Sequence, residues 1–221
     1  MKRVAIIGLG NFGYYLGVEL TRQGFDVLGI DIRKDAVQHA KNDMAVAVAA
    51  DATHKENLLD LGVAEADVAV VTIGTNMLAS ILTTFLLKEI GLKQIYAKAL
   101  SEEHERILKR VGADHVLFPE KDMAISLAGR LVHPNMLEYL PFIGDHGIFE
   151  LEALPDFVGK TLRELDLINR FGIQVLAVRQ AEGDKLTFIP KADLAVRHGD
   201  VLILLAPNRA MEQLDKSVKS R

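Results

Sequence analysis

The chain has 221 residues, 49% hydrophobic and 25% charged, a balance that suits an ordinary globular protein with one good core and a smaller second one. It contains no cysteine, which excludes disulfides, thiolate metal sites, iron–sulfur clusters and cysteine nucleophiles. A formal net charge of -4 provides no broad basic surface to neutralise a phosphate backbone, so no nucleic-acid partner is expected.

Met1-Lys2-Arg3 runs straight into the short apolar segment Val4 to Ile7, which Gly8 interrupts, so no signal peptide is expected. The apolar runs Val68 to Ile73, Leu78 to Leu87 and Val201 to Ala206 fall well short of the ~20 residues that cross a bilayer. The chain is therefore expected to be soluble, with any membrane role supplied by a partner.

Short β-branched runs alternate with helix-length amphipathic segments. Strand Val4 to Ile7, helix Asn11 to Gln23 and strand Asp26 to Asp31 form a βαβ opening. A helix near Lys34, strand Ala45 to Ala49, helix Lys55 to Leu61, strand Val68 to Ile73 and a long helix Asn76 to Ile90 follow. Strand Gln94 to Ala99, helix Glu102 to Val111, strand His115 to Phe118 and a helix after Pro119 complete the half. Six strands, mostly apolar on both faces and separated by helices, predict an α/β, Rossmann-like doubly wound parallel sheet.

After Leu131 the texture changes, with His133, Pro134, Pro141 and the Gly144 to Gly147 turn close together. The boundary is placed there, giving residues 1–134 as a nucleotide-binding domain and 135–221 as a second, smaller α+β domain. In the latter, the pattern predicts strand Ile148 to Leu154, helix Leu162 to Leu165 and strands Gln174 to Arg179, Leu186 to Ile189 and Val201 to Leu205. A helix from Arg209 to Val218 ends it. There is no low-complexity segment, and the second half does not repeat the first.

Gly8-Leu9-Gly10-Asn11-Phe12-Gly13 follows a predicted strand and opens a predicted helix, the context a dinucleotide fingerprint requires. Gly8 permits the tight turn, Gly10 lets the backbone approach a phosphate, and Gly13 allows close helix–strand packing, while exposed N–H groups at the helix start hold the anion. Eighteen residues beyond Gly13 comes Asp31, where a carboxylate can accept from both ribose hydroxyls. Asp31 could instead cap the helix near Lys34. It should also repel a 2′-phosphate, which disfavours NADP, although Arg33 softens that discrimination.

A hydride-transfer site cannot be assembled. None of Tyr14, Tyr15, Tyr96 and Tyr139 has a lysine four residues on, and the seven histidines, most of them expected on the surface, show no metal-binding spacing. Two alternatives to binding without chemistry stay open: an NAD-dependent oxidoreductase and a nucleotide-sensing transcriptional regulator. The first lacks recognisable acid–base residues, and the second lacks a winged-helix segment with a basic recognition helix.

Several further segments occur in order: Asp51-Ala52-Thr53, Leu58-Leu59-Asp60-Leu61-Gly62, Val111-Gly112-Ala113-Asp114, Phe118-Pro119-Glu120-Lys121-Asp122-Met123 and Gly199-Asp200-Val201-Leu202. Together with Ile6 to Gly13, they make the chain resemble, over nearly its whole length, proteins of the KtrA/TrkA family, with an RCK (KTN) N-terminal domain and a TrkA-C domain. The resemblance implies a regulatory subunit, not an enzyme. RCK dimers would assemble into an octameric ring beneath a membrane potassium transporter of KtrB or TrkH type, gated by ATP or ADP, or by NAD or NADH.

On that resemblance Gly8, Gly10 and Gly13 shape the phosphate turn, Asp31 holds the ribose, Arg33 stacks on the base, and Asn11, Phe12 and Ile32 belong to the same binding site. Asp51, Ala52 and Thr53 border the adenine, Ile73 and Gly74 line the cleft, and Lys98 points a cation at the phosphates, although a solvated strand-end lysine fits Lys98 equally well. Family members that bind ATP well often carry arginine where this chain has Asn11, which implies weaker selectivity for ATP here. The family also implies that Glu120 meets its copy from a neighbouring subunit and shares a divalent cation such as Mg or Ca. Glu120 and Asp122 would also stabilise any helix starting at Pro119. Cyclic di-AMP binding at a dimer interface of the small domain is implied for the segment Leu162 to Ile173, where Asp166, Asn169 and Arg170 lie among apolar residues; plain apolar dimerisation is the alternative.

Overall fold

The computed structural model describes residues 2–132, 136–141, 144–183 and 185–219. Two compact units divide the chain, Met1–Pro119 and Glu120–Arg221.

In the first unit, strands β1 (Arg3–Ile7), β2 (Asp26–Asp31), β3 (Val46–Ala49), β4 (Val68–Val71), β5 (Ile95–Lys98) and β6 (His115–Leu117) alternate with helices α1 (Asn11–Arg22), α2 (Lys34–Ala40), α3 (Lys55–Asp60), α4 (Met77–Glu89) and α5 (Glu102–Val111). The strands pair in parallel in the order β3-β2-β1-β4-β5-β6, the doubly wound arrangement expected from the sequence. Period-2 alternation explains why both faces are dry: Ala5, Ile7, Leu28 and Ile30 enter one core with Leu58, Leu87 and Leu108, while Val4, Ile6 and Val27 enter another with Val37 and Met44. β4 ends at Val71, two residues before the expected Ile73, although the Thr72 N–H still donates to the Ile7 carbonyl of β1 at 2.8 Å.

α5 shows how local sequence sets the ends of an element. Ser101 accepts the His104 N–H at 3.1 Å, Glu102, Glu103 and Glu105 face the positive pole, Lys109 and Arg110 face the negative one, and left-handed Gly112 terminates the helix. His104 departs from the surface role expected of most histidines: it is fully buried, its Nδ1 accepts the Leu100 N–H at 3.2 Å, and its Nε2 has no partner.

The second unit begins with α6 (Pro119–Val132) and continues with strands β7 (Met136–Pro141), β8 (His146–Glu152), β9 (Gln174–Arg179), β10 (Leu186–Phe188) and β11 (Val201–Pro207) and helices α7 (Leu162–Leu165), α8 (Leu167–Phe171) and α9 (Asn208–Lys219). Its sheet is antiparallel, in the order β10-β9-β11-β8-β7, and it buries Phe149, Leu151, Leu202, Leu204 and Met211. The compact units divide at Pro119/Glu120, so α6 falls in the second, where the Ser126 hydroxyl donates to the Tyr139 carbonyl at 3.1 Å. The step expected between residues 134 and 135 lies outside the described residues. β7 and α8 were not expected from the sequence. β7 is an edge strand, the place in a sheet where a proline such as Pro141 is tolerated, and α8 starts afresh after Asp166 turns left-handed.

Candidate functional site

Strand order reverses between β1 and β4, and the turn leaving β1 lies at that switch point. Gly8 has φ +106, and a Cβ there would sit 2.9 Å from backbone atoms of Thr72 and Ile73. Its N–H donates to Ile30 at 2.7 Å. A Cβ on Gly13 would collide with the Gly8 carbonyl oxygen and lie 2.6 Å from Thr72 Oγ1. Gly10 differs from both: a Cβ there would meet no protein atom within 4 Å. It precedes α1 with no side-chain cap and no acidic residue in the first turn, which leaves the positive helix pole open to an anion.

Asp31, at the end of β2, is only 8% exposed. Its Oδ2 accepts the Leu9 N–H at 2.7 Å, and its Oδ1 accepts the Arg33 N–H at 2.8 Å with Arg33 Nε at 3.4 Å. α2 has no side-chain cap, so Asp31 does not cap that helix. Ile32 and Arg33 lie exposed beyond it.

The Ala50 N–H donates to the Asp31 carbonyl at 3.0 Å, bringing the segment after β3 alongside. Asp51 Oδ1 accepts the Thr53 hydroxyl at 2.6 Å and the Thr53 N–H at 2.9 Å, bonds that hold its carboxyl below the usual range. Buried Ala52 is tied to α4 by the Thr83 hydroxyl at 3.3 Å. Lys98, at the end of β5, is nearly buried, its Nζ lying 5.9 Å from the Phe12 ring centroid and 3.9 Å from where a Gly74 Cβ would stand. Ile73 packs partly into the core beneath.

Gly8, Gly10, Phe12, Gly13, Asp31, Gly74 and Lys98 thus lie around the carboxyl ends of the inner strands β1, β2, β4 and β5, with Asn11 exposed at the start of α1. Glu120 belongs to the other unit, exposed in the first turn of α6. Among the described residues no group of three or more His, Asp or Glu could hold a metal ion, and no helix is long and apolar enough to cross a membrane. In the small unit, Leu162, Asp166, Ile168, Ile173 and Pro190 line a depression of about 290 Å³. Asn169 donates to Asp166 at 2.6 Å and Arg170 to the Leu165 carbonyl at 3.2 Å, so both side chains bond within their own segment. Sequence reasoning missed Thr72 and Thr83, whose hydroxyls brace the turn and the Ala52 segment; the available signal was a hydroxyl residue inside an otherwise apolar buried run.

This strand order, with a glycine turn at the switch point and an acid ending β2, defines a Rossmann-type nucleotide fold. The family model for the TrkA-N domain matches residues 4–119 and that for the TrkA-C domain residues 148–219. The chain belongs to the KtrA/TrkA family. It is 36% identical to Ktr system potassium uptake protein C of Bacillus subtilis over 217 residues, 98% of this chain and 97% of that protein. It is 33% identical to Ktr system potassium uptake protein A of Vibrio alginolyticus, covering 98% of each. The GsuK channel bound to ADP is 28% identical over 60% of this chain and 34% of that one, with a TM-score of 0.52. The same channel bound to NAD shares the fold over 100% of this chain and 39% of that one, with a TM-score of 0.57 at 24% identity.

Proposed function

We propose that the chain is a cytoplasmic, non-enzymatic regulatory subunit of a Ktr/Trk-type potassium transport system, controlled by an adenine nucleotide in the crevice beside Gly8. The observation that carries this is Gly10. Its φ of -70 suits any residue and no protein atom crowds its Cβ position, so the protein itself does not demand glycine there. A phosphate drawn onto the open pole of α1 does. Asp31 accepts from the ribose, Lys98 offers its charge to the phosphates over Phe12, and Asp51 to Thr53 border the base.

ADP or ATP is the preferred ligand class, supported by the ADP complex of GsuK, with NAD or NADH as the second. Asn11 donates a hydrogen bond where a guanidinium would offset a third phosphate, so selectivity for ATP over ADP is weak. A ligand moves the gating equilibrium only by the difference in its affinity for the two states of the assembly, and the extra phosphate charge of ATP facing Lys98 is what sets it apart from ADP and NAD. Ring assembly, taken as an octamer, brings Glu120 near its copy; one chain supplies too few donors, so a Mg or Ca ion there draws its ligands from two subunits.

Calorimetric titration of the purified protein with ATP, ADP, NAD+ and NADH, with and without magnesium, tests this reading. Asp31→Ala is expected to weaken adenine nucleotides by about 100-fold. Binding confined to NAD+ and NADH would favour the oxidoreductase reading, and unchanged affinity in Asp31→Ala would overturn the assignment of the crevice.

A further inference from the structure

Thr72 lies where β4 leaves the sheet, 5% exposed, its N–H donating to the Ile7 carbonyl at 2.8 Å. Its hydroxyl donates to the Gly8 carbonyl at 2.5 Å, with the Ile7 carbonyl at 3.3 Å as a more distant second acceptor. The Gly8 carbonyl and the Leu9 N–H belong to one peptide unit. That N–H is the one that donates to Asp31 Oδ2 at 2.7 Å. A trans peptide is planar, with its C=O and N–H pointing in opposite directions, so fixing one end fixes the other. The carbonyl reaches the hydroxyl only because Gly13 carries no Cβ, which would otherwise collide with the Gly8 oxygen and crowd Thr72 Oγ1.

We infer that Thr72 is a positioning residue for the ribose-binding carboxylate: its hydroxyl locks the Gly8–Leu9 peptide as a strut, and that strut, through the Leu9 N–H, holds Asp31 in the orientation that accepts the ribose hydroxyls. This rests on the reading of the crevice as an adenine-nucleotide site. Asp31 Oδ1 is steadied separately by the Arg33 N–H at 2.8 Å. Losing the Thr72 hydroxyl therefore loosens the Oδ2 side of the carboxylate while Arg33 still holds Oδ1. The phosphate end of the ligand, held by the helix pole beyond Gly10, is untouched.

The test compares Thr72→Val, which keeps the shape and removes the hydroxyl, with Thr72→Ser, which keeps the hydroxyl. Two readouts are needed: titration with ADP and 2′,3′-dideoxy-ADP, and hydrogen exchange at the Leu9 amide in the free protein. In Thr72→Val, ADP is expected to weaken by about tenfold while 2′,3′-dideoxy-ADP, which has no hydroxyl for Asp31, changes little, so the preference for ribose collapses. Leu9 exchange should accelerate by more than the loss of global stability from the missing hydrogen bond accounts for, and Thr72→Ser should behave as wild type in both readouts. Equal weakening of the two nucleotides, or equal loss in the Ser and Val variants, would overturn the strut, as would unaltered Leu9 exchange in Thr72→Val. Should the wild-type protein bind neither nucleotide, the crevice reading fails by itself, and Leu9 exchange still decides whether Thr72 locks the turn.

Discussion

The two compact units treat left-handed backbone differently. Up to Pro119, every described residue with positive φ is a glycine, Gly8 among them, whereas the second unit also holds Asp166 and Ile189 in that region, both at φ 47. Asp166 accounts for itself, since an aspartate tolerates the conformation and this one accepts a bond from Asn169 as it divides α7 from α8. Ile189 is β-branched and 88% exposed, and its N–H donates to the Leu176 carbonyl at 2.8 Å, continuing the pairing of β10 with β9 by one residue. The small unit thus accepts about 1–2 kcal/mol of torsional strain to extend an edge pairing. The first unit faces a different constraint at Gly8 and Gly13, where the obstacle is the backbone of a neighbouring segment, and sequence must yield to it.

Gly13→Ala tests that contrast with the largest expected effect. The new methyl group cannot avoid the Gly8 carbonyl, so the variant should lose about 3 kcal/mol of stability in denaturant titration along with nucleotide affinity. Native-like stability would mean that the turn yields as readily as the small unit does.

A second contrast concerns buried polar groups. Asp200, 1% exposed, has both carboxylate oxygens engaged, by the Ala181 N–H at 3.1 Å and the Arg197 N–H at 2.8 Å. His104 has only one nitrogen engaged, and burial pushes its pKa below the ordinary value of 6.5. The unfolded chain takes up this proton near 6.5 while the folded chain does so only at lower pH. Its contribution to stability is therefore complete above that value and falls as the solution is acidified below it. Melting curves of wild type against His104→Leu should diverge between pH 7 and 5, the variant having the flatter profile; parallel profiles would mean that His104 is solvated.

The smallest effect is expected at Ile189. Replacing it with Asn, which tolerates the left-handed region, should raise stability by about 0.5–1 kcal/mol, because so exposed a side chain loses little burial. A loss instead would show that the isoleucine makes a contact that repays its strain.

These contrasts also explain what was legible in the amino-acid order. The βαβ opening was readable because β1 and β2 are dry on both faces and the glycines punctuate them. Asp31 was readable because an acid ending the second strand has few other duties. Thr72 was not, since a threonine closing a strand usually signals nothing but β propensity, and its role depends on Gly8, far away in sequence, turning its carbonyl toward it. β7 was hidden because proline normally argues against a strand, and only its place at the sheet edge removes the penalty. Lys98 and Phe12 could be named singly, but their proximity is a product of strand order.

Strand order also has a consequence in time. β1 is made first, yet it sits at the centre of the sheet between β2 and β4. At ~5–20 residues per second, synthesis from Asp31 to Val68 occupies roughly 2–7 s, during which β1 can pair along one edge only. The glycine turn therefore waits for Thr72 to leave the ribosome, and the crevice is complete only when β5 brings Lys98 beside it.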